Sequence, residues 1–379
     1  LSKIMLIKSY NAEFDEKFTV TSVPMTSSSL SSSHPEVSKT ETGGLLGLNN
    51  IGNTCFLNSI IQCLSNTKPL LEYILSEEYV SEIRNSARSM LIKRFAELIK
   101  NLWTDRKHAV NTSSLKSAVG YYAPRFNGFN QQDAQEFLRY LLQGLHEEIN
   151  RAPTVQHKKH DQLQNENLTA DEIWQRYLKR DNSKIVDIFG GQLRSDLKCT
   201  VCGFASTTYE PFWDLSLSIP QSELKNTPRS RVQLSQCLDH FTKEETLEGN
   251  EKPTCARCKS KQTCVKKISI QKFPQILVIH LKRFSGNTRK VDTEVEFPVS
   301  GLDLAPYSAE KRQVNSSVYS LYGVVIHFGS CFYGHYTAYC KHPYCAGWHI
   351  FNDSQVHSVH PNATTDPYIL FYESNSPTC

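Results

Sequence analysis

No stretch of this 379-residue chain is apolar for long enough to cross a membrane. The strongest apolar run, residues 276–281, falls far short of the roughly 20 residues a spanning helix needs. Charge of one sign is also scarce: 42 Lys+Arg against 38 Asp+Glu leaves +4, too little to predict nucleic-acid binding. The first residues lack the basic-then-apolar pattern of a signal sequence. No internal repeat is found. Neither a membrane nor a nucleic acid is therefore expected as a partner. Nor are the 12 cysteines spread evenly, as a secreted disulfide framework would have them. Four form two C-x-x-C pairs, which points to metal and a reducing compartment. Triplets such as Asn111-Thr112-Ser113 then carry no glycosylation message.

What is present divides into a leader and one large folded unit. Residues 1–43 are rich in Ser and Thr and cannot bury enough apolar surface to offset their ordering entropy, so a disordered leader is expected. Gly43-Gly44 marks the entrance to the folded part. Helical periods follow. Phe56, Leu57, Ile60, Ile61 and Leu64 define a helix after Cys55, with Asn53 or Thr54 as N-cap. Met90, Leu91, Phe95, Leu98, Ile99 and Leu102 define a second over 86–103. Ala134, Phe137, Leu138, Leu141, Leu142, Leu145 and Ile149 define a third over 133–150. Residues 151–170 read as an exposed loop, and a short helix over 172–179 ends the helical half. From about 185 onward the signals are strands: 275–281, 319–328, 336–341, 348–351 and 368–372. Helices first and strands later argue for an α+β fold with an antiparallel sheet.

Cys199-Thr200-Val201-Cys202 and Cys255-Ala256-Arg257-Cys258 are two thiolate hooks. Four cysteines satisfy tetrahedral zinc and leave no open position, so the expected Zn2+ is structural, from Cys199, Cys202, Cys255 and Cys258. Gly203 fits the turn a zinc knuckle requires. A nucleic-acid-binding zinc ribbon is the rival, but the stretch between the hooks holds Glu210-Pro211-Phe212-Trp213-Asp214 and a mixed-charge run over 243–251.

Cys55 falls in a first helical turn, where unpaired N–H groups and the macrodipole favour a thiolate. By itself this position fits a buried packing cysteine better. The second half of a catalytic set lies near the other end. In Tyr333-Gly334-His335-Tyr336-Thr337-Ala338-Tyr339 a histidine follows a glycine and opens a strand. Trp348-His349-Ile350-Phe351-Asn352-Asp353-Ser354 ends a strand in an amide and a carboxylate. A cysteine nucleophile needs a base, and the base a third group to fix its tautomer. Cys55, His335 and Asn352 match those needs in that order. Singly, each is bland: the chain has 13 histidines, His327 among them only eight residues upstream, and Asn-Asp is common in turns.

With these blocks together, the sequence resembles the ubiquitin-specific protease family of cysteine proteases, most of all its ubiquitin carboxyl-terminal hydrolase 2 and 21 subgroup. The resemblance spans about 44–374. It rests on Gly47-Leu48-Asn49-Asn50-Ile51-Gly52-Asn53-Thr54-Cys55-Phe56-Leu57-Asn58-Ser59, Asn130-Gln131-Gln132-Asp133-Ala134-Gln135-Glu136-Phe137, both hooks, Ile279-His280-Leu281-Lys282-Arg283-Phe284 and the histidine box. It implies a deubiquitinase that hydrolyses the isopeptide or peptide bond after ubiquitin's C-terminal glycine. The implied fold is papain-like and hand-shaped, with a helical thumb (44–184), zinc-tipped β fingers (185–272) and an antiparallel-sheet palm (273–375). Cys55 is then the nucleophile, His335 the base and Asn352 its orienting partner. Asp353 is a second candidate for that role or for transition-state support, and Asn50 the oxyanion-hole side chain. Asp133 and Gln131 bind ubiquitin's tail. Locally, Asp133-x-x-Glu136 also reads as a capping-box variant. The expected partners are ubiquitin and ubiquitylated proteins, met by a monomer in the cytoplasm, with the nucleus as a second compartment.

Three features depart from the family pattern. Asn352 replaces the frequent Asp, Tyr333 stands where relatives often carry a second Gly, and 221–231 looks like an insertion. One rival reading is a catalytically silent ubiquitin-binding scaffold on the same fold. Another is a lysosomal papain-type protease, which the Asn53-Thr54-Cys55-Phe56 context does not fit.

Overall fold

The computed structural model describes residues 43–85, 89–104, 108–153, 168–220, 231–285, 289–310, 317–330, 333–360 and 366–376. All but the last residue of the expected leader (1–43), most of the 151–170 loop and all but the last residue of the 221–231 insertion lie outside them.

The helical half comprises α1 (Cys55–Ser65), α2 (Lys68–Leu75), α3 (Glu78–Glu82), α4 (Met90–Leu102), α5 (Ser113–Tyr122), α6 (Ala134–Glu148), α7 (Ala170–Leu178) and α8 (Lys184–Phe189). Every residue of α1 is buried, because it is packed from both sides: by α2 and α6, and by the sheet strands that follow. On α6 the stripe read from sequence is buried, Ala134 through Leu145, with Ile149 just past the end. On α4, Leu91, Phe95, Leu98, Ile99 and Leu102 are buried but Met90, assigned to that face, is exposed. A reciprocal capping box sits at α7, where the Thr169 hydroxyl accepts from Glu172 N–H (3.2 Å) and the Glu172 carboxylate accepts from Thr169 N–H (2.8 Å).

Two expectations fail here. Residues 184–189 are helical, not the start of the strands: Ser183 caps them, its hydroxyl accepting from Val186 N–H (3.3 Å). A short β-branched run cannot be told from a buried helical turn by periodicity. A further helix, α9 (Leu234–Thr242), interrupts the strands; its signal was present in Leu234, Cys237, Leu238 and Phe241 at helical spacing.

Strands β1 (Gly191–Cys199), β2 (Ala205–Phe212), β5 (Glu245–Leu247) and β6 (Cys264–Lys272) form a four-stranded sheet in the order β2-β1-β6-β5. β3 (Leu215–Ser218), within the segment expected as fingers, joins the large sheet instead, parallel to β7 (Ile276–Lys282). β4 (Arg231–Gln233) pairs with β10 (Glu294–Glu296), and β8 (Phe284–Ser285) with β9 (Arg289–Lys290). β11 (Leu302–Asp303) pairs with β12 (Val318–Gly329). With β13 (Gly334–Lys341), β14 (Trp348–Asn352), β15 (Gln355–Val359) and β16 (Pro367–Ser374), the large sheet runs β15-β14-β13-β12-β16-β7-β3. Apart from the parallel β3 edge it is antiparallel.

The large sheet is covered on both faces. Along β7, Ile276 and Val278 pack into the core shared with α1, whereas Leu277, Ile279 and Leu281 pack into the core under α9. A strand buried on both faces reads as an unbroken apolar run, which is why 275–281 stood out in the sequence.

Candidate functional site

The N-terminus of α1 meets the start of β13 and the end of β14. Cys55 is the first residue of α1 and is buried. The loop before it is wound tightly: Gly52 has φ +111° and Asn53 φ +51°. Thr54 occupies the N-cap position but makes no side-chain cap bond, contrary to the N-cap reading. Asn50 instead winds the loop, its Oδ1 accepting from the N–H groups of Gly52 and Thr54 (both 3.1 Å). Asn53 instead donates from Nδ2 to the Phe129 carbonyl (2.8 Å).

His335 is the second residue of β13. Its Nε2–H donates to Asn352 Oδ1 (2.7 Å) at the end of β14, which leaves Nδ1 to face Cys55. Hydrogen bonding of the protonated ring to Cys55, opposed by burial, then its bond to Asn352 and the negative charge of Asp353, raise the His335 imidazole to about 9. The ring therefore holds a proton at neutral pH. His327 faces the opposite regime. Burial, with Lys290 nearby, pushes it down to about 4, and its ring lies against Gly334, where a Cβ would fall 2.0 Å from Nε2. The glycine before His335 thus admits an imidazole, and the Phe328 carbonyl lies 2.9 Å from the same point.

Asp353 sits in a two-residue turn between β14 and β15 with φ +49°. Gly47 packs against this turn, where a Cβ would come within 2.4 Å of the Ser354 backbone, and Leu48 N–H donates to the Asp353 carbonyl (2.8 Å). The opening of the cysteine box is thereby docked on the hairpin that carries Asn352. Asp353 Oδ2 accepts from Asn50 Nδ2 (2.9 Å) and Oδ1 from Asn58 Nδ2 (2.7 Å); Oδ2 lies 4.0 Å from His335 Nε2. Asn58 escaped the sequence reading. Its signal was an amide one turn after Cys55, on the face it shares with Gln62 and Ser65 rather than on the apolar stripe.

Asp133 is the N-cap of α6: Oδ1 accepts from Gln135 N–H (2.7 Å) and Glu136 N–H (3.2 Å), and Oδ2 from the Tyr368 hydroxyl (2.6 Å). Burial, together with Asp133, holds Tyr368 in its protonated, donating form. Glu136 pairs with Arg125 in place of the reciprocal capping bond. Gln131 reaches across to β13, where it pairs with the backbone of Gly334.

At the tip of the smaller sheet, Cys199, Cys202, Cys255 and Cys258 bring their sulfurs within 4.8 Å of one another, close enough to hold a metal ion. The two hooks fold alike. Gly203 N–H donates to the Cys199 carbonyl (3.0 Å) with φ +69°, and Lys259 N–H to the Cys255 carbonyl (2.9 Å) with φ +56°. Cys258 N–H also donates to Cys255 Sγ (3.4 Å). No disulfide occurs among the described cysteines.

The family model of ubiquitin carboxyl-terminal hydrolase matches residues 46–372, and the chain belongs to that family. Among its relatives, ubiquitin carboxyl-terminal hydrolase 2 of Rattus norvegicus is 48% identical over 88% of this chain and 54% of its own length. Its counterpart in Gallus gallus is 48% identical, with 88% and 95% covered. Ubiquitin carboxyl-terminal hydrolase 21 of Homo sapiens is 43% identical, with 87% and 61% covered. The chain thus spans little more than half the length of the mammalian relatives. In structure it is similar to the Ubp8/Sgf11/Sus1/Sgf73 DUB module bound to ubiquitin aldehyde (TM-score 0.68, 30% identity, covering 90% of this chain and 72% of that one). A form of that module bound to monoubiquitin superposes with TM-score 0.69 at 27% identity, covering 100% and 76%.

Proposed function

We propose that this chain is a cysteine-type deubiquitinase, cleaving the isopeptide or peptide bond after ubiquitin's C-terminal glycine in ubiquitylated proteins or chains. The observation that carries the proposal is the Cys55–His335–Asn352 arrangement at the helix–sheet junction, in a chain of this family. The Cys55 thiolate attacks the glycine carbonyl, and the tetrahedral oxyanion is held by the second N–H of Asn50 Nδ2 and a backbone N–H. His335 gives its proton to the departing amine as the thioester forms. It then takes a proton from water, whose oxygen attacks the thioester, releasing ubiquitin's carboxylate and restoring the thiolate. Asn352 holds the imidazole, and Asp353 orients Asn50.

Asp133 accepts three hydrogen bonds within the fold and keeps one lone pair for a guanidinium of ubiquitin's tail. Gln131 is a second tail contact. Zinc suits the four-cysteine set: at about 2.3 Å per Zn–S bond, a tetrahedron spaces its sulfurs by roughly 3.8 Å, and Cys202 and Cys255 lie at 3.6 Å. Such an ion would tie the two hooks together and take no part in the chemistry. The thumb (44–184), finger (185–272, less the β3 strand that joins the palm sheet) and palm (273–375) division, monomeric action without membrane or nucleic acid, and residence in cytoplasm and nucleus complete the reading. Hydrolysis of a ubiquitin C-terminal fluorogenic amide and of lysine-linked diubiquitin tests it. Wild type is expected to cleave both and His335→Ala neither. Binding without cleavage by wild type would leave a silent ubiquitin-binding scaffold.

A further inference from the structure

Gln131 makes a two-point contact that tail binding does not account for. Its Nε2 donates to the Gly334 carbonyl (2.7 Å), and its Oε1 accepts from Gly334 N–H (3.0 Å). Both polar groups of one peptide residue are thus taken by a single side-chain amide. Gly334 lies where β13 has an open edge, since β14 accompanies β13 only over Ala338 to Lys341. The carboxamide completes that edge as a neighbouring strand would.

Both ends of this contact are anchored, Gly334 on its other edge by pairing with Gly329 of β12. On the Gln131 side, the segment is tied down twice: the Phe129 carbonyl accepts from Asn53 of the cysteine loop, and Asp133 is fixed by the α6 N-terminus and Tyr368 of β16. On the other side, Gly334 directly precedes His335, and the contact spans 203 residues of sequence between the helical and sheet halves. The cysteine loop, through Phe129 and Gln131, is therefore linked to the backbone of the histidine as well as to its ring.

We infer that Gln131 is a positioning residue, whose carboxamide sets the His335 backbone, and so the imidazole, at its working distance from Cys55. This deepens the proposed function and rests on it. The titratable groups facing His335 are Cys55 from α1, Asp353 from the β14–β15 turn and His327 from β12, and none of them is altered by changing Gln131.

The test is the rate of iodoacetamide alkylation at Cys55, read by peptide mass spectrometry between pH 5 and 10 on the full, metal-loaded chain. Iodoacetamide has no tail, so a residue that only binds ubiquitin's tail leaves this rate alone. Gln131→Ala is expected to slow Cys55 alkylation by roughly tenfold at neutral pH and to lower kcat more than it raises KM. Gln131→Glu should behave alike, because its carboxylate can accept from Gly334 N–H but opposes the Gly334 carbonyl. An alkylation rate that neither variant moves, with KM alone rising, overturns the inference and leaves the proposed function standing. Failure of wild type to cleave the ubiquitin amide removes the proposed function, and with it the inference.

Discussion

The molecule has two sites built on cysteine, and they are assembled in opposite ways. At the tip of the smaller sheet, two short hooks supply four thiols that face one another, each hook closed by its own N–H···O=C turn. At the helix–sheet junction a single thiol depends on segments that meet only through the packed core: α1, the 129–133 segment, the start of β13 and the turn after β14. The first site is closed and symmetric, which suits a structural ion. The second is one-sided and leaves Cys55 facing a protonated imidazole, which suits covalent chemistry. The same side chain is a staple in one place and a proposed nucleophile in the other, and the difference lies in what surrounds the sulfur.

Removing one thiol from each site should give opposite results. Cys55→Ala is expected to lower kcat/KM for a ubiquitin amide by at least about 10⁴-fold while leaving Tm within about 2 °C. Cys199→Ser should lose bound metal, read by mass spectrometry of the native protein, and lower Tm by at least about 5 °C. Equal Tm losses in both variants would break the contrast. Next in size is Asn50→Ala, expected to cost about 100–1000-fold in kcat. Asn58→Ala, which frees one oxygen of Asp353, should cost roughly tenfold, measured with the same amide.

The pH dependence sharpens the picture of His335. An imidazole raised to about 9 keeps its proton through neutral pH, so kcat/KM should hold on the alkaline side and fall with an apparent pKa near 9. Its contribution to folding follows the same sign: fully present below the ordinary histidine value near 6.5 and lost as pH rises through about 9. Asn352→Ala removes one of the bonds that raise it, so the alkaline limb should move to lower pH. The smallest effect belongs to the hooks. Lys259 adopts the left-handed conformation that Gly203 adopts in the first hook, so Lys259→Gly should stabilise the protein by about 0.5–1 kcal/mol in urea unfolding.

What could be read from sequence follows the same division. The hooks were legible because ligands and turn lie within a few residues, although nothing marked Lys259 as the counterpart of Gly203. The α6 stripe and the doubly buried β7 were legible from periodicity. Residues 184–189 were misread because six residues cannot display a period, and α9 was passed over amid strand signals. Cys55, His335 and Asn352 stood out through motif and resemblance, but their supports did not. Asn58 meets Asp353 across 295 residues, Asp133 meets Tyr368 across 235 and Gln131 meets Gly334 across 203. Such contacts depend on the tertiary fold, and no local pattern of residue types announces them.

The most direct measurement is covalent labelling with ubiquitin carrying a thiol-reactive group at its C-terminus, on wild type and Cys55→Ala side by side. The account predicts that wild type gains the mass of one ubiquitin and that Cys55→Ala gains none. Equal labelling of both proteins, or binding to wild type without any adduct, would contradict it.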